Sequence, residues 1–168
     1  MQSTNFRLPL SLLALAAVAA GAAAPVPAQA QYRQKIGNDM SDCRSGSGSA
    51  VLVTVDGIKA STGRVRAQIY HATPADWLKK GRWLNRVELS AKPGTMSFCL
   101  PVPRSGSYAV AVRHDLDGDG ATDLIGDGGA MSNNPSINIF NLGKPSVTKT
   151  AFAVGEGVKS IRIQMRYR

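Results

Sequence analysis

The acidic stretch at residues 114–127 carries the residue types of this chain that are best suited to chemistry. Five of the chain's eleven acidic residues fall within thirteen positions, although the formal net charge of the whole chain is +9. These five residues are Asp115, Asp117, Asp119, Asp123 and Asp127. Carboxylates this close together repel one another, so a bound cation, backbone N–H donors or open water must offset their charge.

The spacing of the aspartates matches the first part of the calcium loop of about twelve residues, in which alternate positions supply oxygen ligands. The ligands predicted from this match are Asp115, Asp117, Asp119, the carbonyl of Ala121, and Asp123. The last position of the loop holds Gly126 in place of a bidentate acid, so the predicted calcium site is weak. The alternative is a metal-free polar turn in which Asp side chains accept hydrogen bonds from nearby backbone amides. No cofactor other than calcium is predicted.

The chain has two histidines, His71 and His114, which is too few for a three-histidine zinc site. Each is expected at the end of a strand, where a hydrogen bond satisfies its ring. An envelope hydrolase or isomerase that uses His114 with Asp115 or Asp123 is the enzymatic alternative. Since the sequence contains neither a Gly-x-Ser-x-Gly elbow nor a phosphate-cradling glycine loop, we assign no catalytic residue and expect a binding or structural role.

Residues 1–30 have the features of a secretory signal peptide. Arg7 precedes an apolar stretch, residues 8–24, and Ala28-Gln29-Ala30 has the small-x-small form of a cleavage site. The alternative, an uncleaved anchor, is disfavoured by the short apolar core, because a spanning helix needs about 20 apolar residues. We therefore predict cleavage near Ala30, export to the periplasm or beyond, and no transmembrane segment in the mature chain.

Cys43 and Cys99 are the only cysteines of the chain. In an oxidising compartment such a pair predicts a disulfide. The alternative, two free thiols with a redox role, lacks the Cys-x-x-Cys spacing usual for that chemistry.

The strongly basic charge suggests a partner of opposite sign. Outside the cell such a charge favours an anionic envelope polymer over nucleic acid, and another envelope protein is a further candidate partner. The alternative is that the charge only keeps the domain soluble. Four arginines are expected to point outward from two strands: Arg64 and Arg66 from one, Arg162 and Arg166 from the other. If those strands are neighbours, they form a basic sheet face, and the protein becomes a candidate adhesin for anionic glycans.

Alternating apolar and polar residues predict the fold. Residues 31–49 are rich in Gly and Ser and are expected to form a flexible N-terminal segment, followed by one domain at 50–168. We predict an all-β fold, a single antiparallel β-sandwich of about seven strands that is transthyretin-like or immunoglobulin-like. One short helix is expected near 74–80, after Thr73 as its cap. The predicted strands are Ala50–Val55, Arg64–Tyr70, Trp83–Leu89, Thr95–Val102, Tyr108–Arg113, Val147–Val154 and Val158–Tyr167.

The run from Ser105 to Gly120 resembles the signature of a bacterial exported family, domain of unknown function 2141. Members carry Gly-x-Tyr-Ala, a hydrophobic alternation, and then a His-Asp motif with repeated Asn/Asp-Gly pairs. Asp123 and Ser132-Asn133-Asn134 match further positions of the pattern, whereas residues 125–131 depart from it. The resemblance implies a small sandwich similar to transthyretin and the carboxypeptidase regulatory domain, serving as a binding, accessory or structural module. The candidate binding residues are His114, Ser132, Asn133 and Asn134.

Overall fold

Two sheets built from alternating apolar and polar residues face each other across one core. The computed structural model of the protein describes residues 32–121, 123, 125–136 and 143–167. The signal peptide predicted at 1–30 lies outside these residues. Within the described ranges the strands are β1 (Gln34–Lys35), β2 (Ala50–Ile58), β3 (Arg64–His71), β4 (Asn85–Ser90), β5 (Gly94–Pro101), β6 (Gly106–Asp115), β7 (Gly128–Met131), β8 (Phe152–Val154), β9 (Val158–Gln164) and β10 (Arg166–Tyr167). The helical segments there are a 3-10 helix (Met40–Cys43) and α1 (Val147–Thr150).

The strand order defines a large and a small sheet. The large sheet runs β1-β4-β3-β6-β7-β10, with β8 beside β6, and the small sheet runs β5-β2-β9. Most pairs are antiparallel, but β1 pairs with β4 and β2 with β9 in parallel. The predicted all-β sandwich is therefore confirmed, with ten strands in the described residues where about seven were expected, and with two parallel pairs. The parallel pairs join segments far apart in the chain, which local alternation does not reveal.

The core lies between the two sheets and follows the predicted alternation. Val65, Ala67 and Ile69 of β3 point inward and are fully buried. They meet the inward residues of β2 and β5, which are also fully buried. Burying each such aliphatic side chain stabilises the fold by about 1.5–3 kcal/mol. The fully buried partners from β2 and β5 are Val51, Val53, Val55, Phe98 and Leu100.

The segment predicted as a helix near 74–80 forms successive turns instead. Its start is as expected, because Thr73 accepts N–H bonds from Asp76 and Trp77 at 3.1 and 2.9 Å. The chain then departs from helical geometry at Leu78, whose φ is 54°. This reversal leaves Trp77 buried on the outer face of the large sheet, where its indole N–H donates to the Pro145 carbonyl at 2.8 Å. Packing of the indole thus overrides the local helix signal.

The first half of the predicted strand at 147–154 is also wrong, because Val147–Thr150 is helical and only Phe152–Val154 pairs with β6. Thr150 is fully buried and its hydroxyl donates to the Val147 carbonyl at 3.1 Å. The helical turn satisfies this buried hydroxyl locally, which an extended strand would not do.

The N-terminal segment, predicted to be flexible, adds β1 and the 3-10 helix to the sandwich. Asn38 bonds the edge of β5, accepting from the Cys99 N–H at 2.9 Å and donating to the Ser97 carbonyl at 3.0 Å. The structure brings Cys43 and Cys99 to disulfide distance, with their Cα atoms 5.7 Å apart. In the part of the chain that is described, neither helical segment has the length and apolar character needed to span a bilayer.

Candidate functional site

Strand β6 positions the residues of interest on two different faces of the large sheet. Its register pairs His114 with Val65 and Arg113 with Arg66. Because successive side chains of a strand point to opposite faces, His114 lies in the core with Val65, whereas Arg113 and Asp115 lie on the outer face. The acidic loop, residues 115–127, continues directly from this strand.

His114 is fully buried and both of its ring nitrogens are bonded. Nε2 is 2.8 Å from the Thr62 carbonyl and Nδ1 is 2.7 Å from the Tyr167 hydroxyl. A carbonyl can only accept, so Nε2 carries a proton, and in the neutral ring Nδ1 then accepts from the Tyr167 hydroxyl. The Tyr167 oxygen in turn accepts the Lys59 N–H at 3.1 Å. The imidazole joins elements of the core, and this geometry gives no support to the enzymatic alternative based on His114.

Asp115 and Asp127 fold the acidic loop from within. Asp115 is 5 % exposed and accepts the N–H groups of Gly118 and Gly120, each at 3.0 Å. Asp127 is 9 % exposed and accepts the N–H groups of Leu116 and Asp123 at 3.1 and 3.2 Å. These bonds fix both ends of the loop, as expected for the polar-turn alternative.

The start of the loop is further held by Gly63 and by Arg113. Gly63 has a φ of +70°, and a Cβ there would collide with the Asp115 carbonyl, so glycine is required at this close approach. The Arg113 guanidinium donates to the Asp115 carboxylate at 2.8 Å and also to the Ala121 carbonyl. The carbonyl of Ala121, predicted as a calcium ligand, thus accepts from this arginine.

The remaining aspartates are exposed and gather at the tip of the loop. Carboxylate oxygens of Asp117, Asp119 and Asp123 lie within 4.8 Å of one another, as do those of Asp115, Asp117 and Asp127. Like-charge repulsion, first from Asp119, raises the pKa of Asp123, with smaller contributions from burial and from the other loop aspartates. The four predicted carboxylates thus fall into two overlapping groups that share Asp117, and one group also contains Asp127, which was not among the predicted ligands.

The Ser132-Asn133-Asn134 segment is occupied by structural hydrogen bonds. The Ser132 hydroxyl is fully buried, donating to the Thr150 carbonyl at 2.6 Å and accepting the Val110 N–H at 3.0 Å. Asn133 donates to the Ala151 carbonyl at 2.9 Å. The Asn134 amide bonds the open edge of β9, at the Arg162 carbonyl and the Gln164 N–H. These three side chains thus tie the end of β7 to its neighbours.

Cationic side chains occupy the part of the outer face of the large sheet that the apolar cluster around Trp77 leaves open. The register places Arg66 opposite Arg113, Arg113 opposite Gly129, and Gly129 opposite Arg166, so that these positions form one row. A neighbouring row pairs Lys35 with Arg86. We call this surface the basic face; its cationic residues are Lys35, Arg64, Arg66, Arg86, Arg113 and Arg166, and its acidic residues are Glu88 and Asp115.

The predicted grouping of four arginines is wrong in one member. Arg162 lies on β9 of the small sheet and forms an ion pair with Asp56 at 2.5 Å, whereas Arg166 lies on β10 of the large sheet. Sequence reasoning missed Lys35 and Arg86. The alternation of Arg86 and Glu88 around the buried Val87 was a usable signal, but only the sheet order shows that they adjoin β3.

Both carboxylates of the basic face are already engaged. Glu88 pairs with Arg64 at 3.2 Å, and Asp115 pairs with Arg113 at 2.8 Å. In the described part of the chain the other four cations, Lys35, Arg66, Arg86 and Arg166, have no ion-pair partner. Arg86 instead lies 4.3 Å from the Trp83 ring centroid. The face therefore keeps a surplus of positive charge.

A protein-family model matches about two thirds of the chain. The model described as "Uncharacterized protein conserved in bacteria (DUF2141)" matches residues 53–162. The chain belongs to this family. Within the DUF2141 match lie the acidic loop and most of the basic face, and the resemblance predicted from residues 105–120 is confirmed. No curated protein and no solved structure matches the chain.

The repulsion at Asp123 predicts a pH-dependent effect of Asp123→Asn. A folded-state pKa raised above the ordinary value of 3.8 means that the charged carboxylate opposes folding at neutral pH. Without calcium and at low salt, Asp123→Asn is expected to raise the melting temperature at pH 7, and the gain should vanish below about pH 4, where the wild-type carboxyl is protonated. Thermal melts from pH 3 to 7 check this, with Glu156→Gln as a control distant in sequence. A lower melting temperature for the variant at pH 7 would contradict the repulsion.

Proposed function

We propose that this protein is an exported, non-catalytic module that binds anionic polymers of the cell envelope through its basic face. The observation that carries the proposal is the surplus of cations: the two carboxylates of the face are neutralised, and Lys35, Arg66, Arg86 and Arg166 remain. A flat sheet face with unpaired cations is complementary to an extended polyanion, which it attracts over about a Debye length.

Export is supported by sequence features and by the cysteine pair. In this proposal residues 1–30 are a signal peptide, and the mature chain works in the periplasm or outside the cell. Cys43 and Cys99 at disulfide distance suit an oxidising compartment, in which a bridge across 56 residues stabilises the fold by about 4 kcal/mol in the chain-entropy model.

The polymer proposal predicts which cations matter. Lys35→Gln combined with Arg166→Gln removes two exposed charges of the basic face, and we expect the variant to elute from an anionic polymer column at a clearly lower salt concentration. At anionic surfaces each such cation contributes about 1 kcal/mol. Retention of purified protein in a salt gradient is the measurement.

The matched control removes the same net charge away from the basic face. Lys92→Gln with Lys159→Gln lies on the turn before β5 and on β9 of the small sheet. Equal shifts for the two double variants would show that net charge alone governs retention, which contradicts a binding face.

A second candidate function, favoured by the convergent carboxylates, is a weak calcium site in the acidic loop. Asp117 belongs to both groups of three carboxylates, with Asp119 and Asp123 on one side and Asp115 and Asp127 on the other. A divalent cation would offset the repulsion that raises the pKa of Asp123. Extracellular calcium modules bind at about 10⁻⁴ to 10⁻³ M, a range that suits this exposed loop.

Calorimetric titration after chelator treatment tests the calcium site. We expect calcium heat in that millimolar range for the wild type, a rise in melting temperature, and binding at least tenfold weaker for Asp117→Asn, because this residue is shared by both groups. Glu156→Gln should bind as the wild type does. Absence of heat and of any melting shift at about 10 mM calcium, well above that range, would exclude the site.

A further inference from the structure

We propose that the basic face contains a discrete phosphoryl site, which recognises phosphate groups of the bound polymer. The site is formed by Arg66, by Arg86 and by the groove beside Arg86. This inference rests on the proposed function and names the anionic group that the face selects. Its starting point is the position of Arg66, which lies between β4 and β6 in the middle of the basic face.

Arg66 has no ion-pair partner of its own in the described part of the chain, although the nearby Glu88 carboxylate acts on it electrostatically. Its partner in the register on β4 is Glu88, which bonds Arg64 at 3.2 Å, and its partner on β6 is Arg113, which bonds Asp115 at 2.8 Å. The Arg66 side chain is half-buried, and its Nε is completely buried without a hydrogen-bond partner in the described part of the chain. A desolvated donor of this kind is costly unless something accepts from the group.

The surroundings of Arg66 increase that cost. Burial, followed by the charges of Arg113 and Arg86, lowers the pKa of Arg66, and the Glu88 carboxylate offsets this only in part. With its amide turned to satisfy its neighbours, Gln68 accepts from Arg86 at 3.0 and 3.2 Å, but it brings no negative charge. Sites kept for binding commonly retain such unfavourable charge, which an anionic ligand then neutralises.

The shape of the site favours a phosphoryl group over a carboxylate. A planar carboxylate is saturated by one guanidinium fork, whereas a tetrahedral phosphoryl group presents oxygens in several directions and suits arginines arriving from adjacent strands about 5 Å apart. Beside Arg86 lies a groove of about 380 Å³, lined by Lys35, Ile36, Arg64, Arg86 and Glu88. The groove has room for a sugar or glycerol unit that carries the phosphoryl group, and Lys35 adds a further cation.

Titration with inorganic phosphate tests the site without any knowledge of the natural polymer. At constant ionic strength, we expect the wild type to bind phosphate at least tenfold more tightly than acetate, followed by amide and guanidinium NMR shifts. Arg66→Lys keeps the charge but loses the fork, so it should lose at least fivefold in phosphate affinity. Arg44→Lys, at an exposed position outside the basic face, should bind phosphate unchanged. Equal affinity of Arg66→Lys and the wild type would overturn the site.

A thermal measurement provides a second readout. Without phosphate, Arg66→Met should raise the melting temperature by about 2–4 °C, because it removes a half-buried guanidinium that has no ion-pair partner. Phosphate should raise the melting temperature of the wild type and leave Arg66→Met unchanged. An equal phosphate response in both proteins would contradict the inference.

Polymer binding separates this inference from the proposed function. Arg66→Lys is expected to remain on a polygalacturonate column, as the wild type does, while its preference for poly(glycerol phosphate) is lost. A wild type that binds both polymers but prefers neither would refute the phosphoryl site and leave the basic face standing. A wild type that no polymer retains would refute both the phosphoryl site and the proposed polymer binding. Capture of the wild type only by vesicles with phosphatidylglycerol would show that a lipid head group, and not a polymer, supplies the phosphoryl group.

Discussion

The ion pair between Arg113 and Asp115 joins the two charged features of this molecule. Both side chains are almost wholly buried on the outer face of the large sheet, and the same guanidinium also bonds the Ala121 carbonyl. The Asp115 carboxylate in turn accepts hydrogen bonds from the N–H groups of Gly118 and Gly120 in the loop. The root of the acidic loop is therefore held by a side chain of the basic face.

The alternation along β6 sends successive side chains to the two different faces of the large sheet. It sends His114 into the core, where its two hydrogen bonds join Thr62 to Tyr167, and it sends Arg113 to the outer face beside Arg66. The residue that looked most suitable for catalysis is thus part of the packing. The arginine that precedes it contributes to the charge of the basic face. In this account the family motif serves to place a charged loop against a charged sheet.

The alternation and spacing of residues along the chain predicted the features that depend only on neighbouring residues. The alternation of β3 and β6 gave the buried face correctly, and the clustered aspartates do meet in space. Sequence could not show that Arg86 and Lys35 adjoin Arg66, because the order of strands in a sheet is set by long-range packing. Sequence also could not show that Arg113 bonds the Ala121 carbonyl, since spacing along the chain carries no information about contacts between the loop and a strand.

A double-mutant cycle of Arg113→Gln and Asp115→Asn, measured by urea unfolding, tests the central claim most directly. Bonds to charged groups of this kind are worth about 1.5–3 kcal/mol, so the two substitutions should be coupled by that amount. The double variant should then be little less stable than either single variant. Additive losses, within about 0.5 kcal/mol, would contradict the claim that this pair anchors the acidic loop to the basic face.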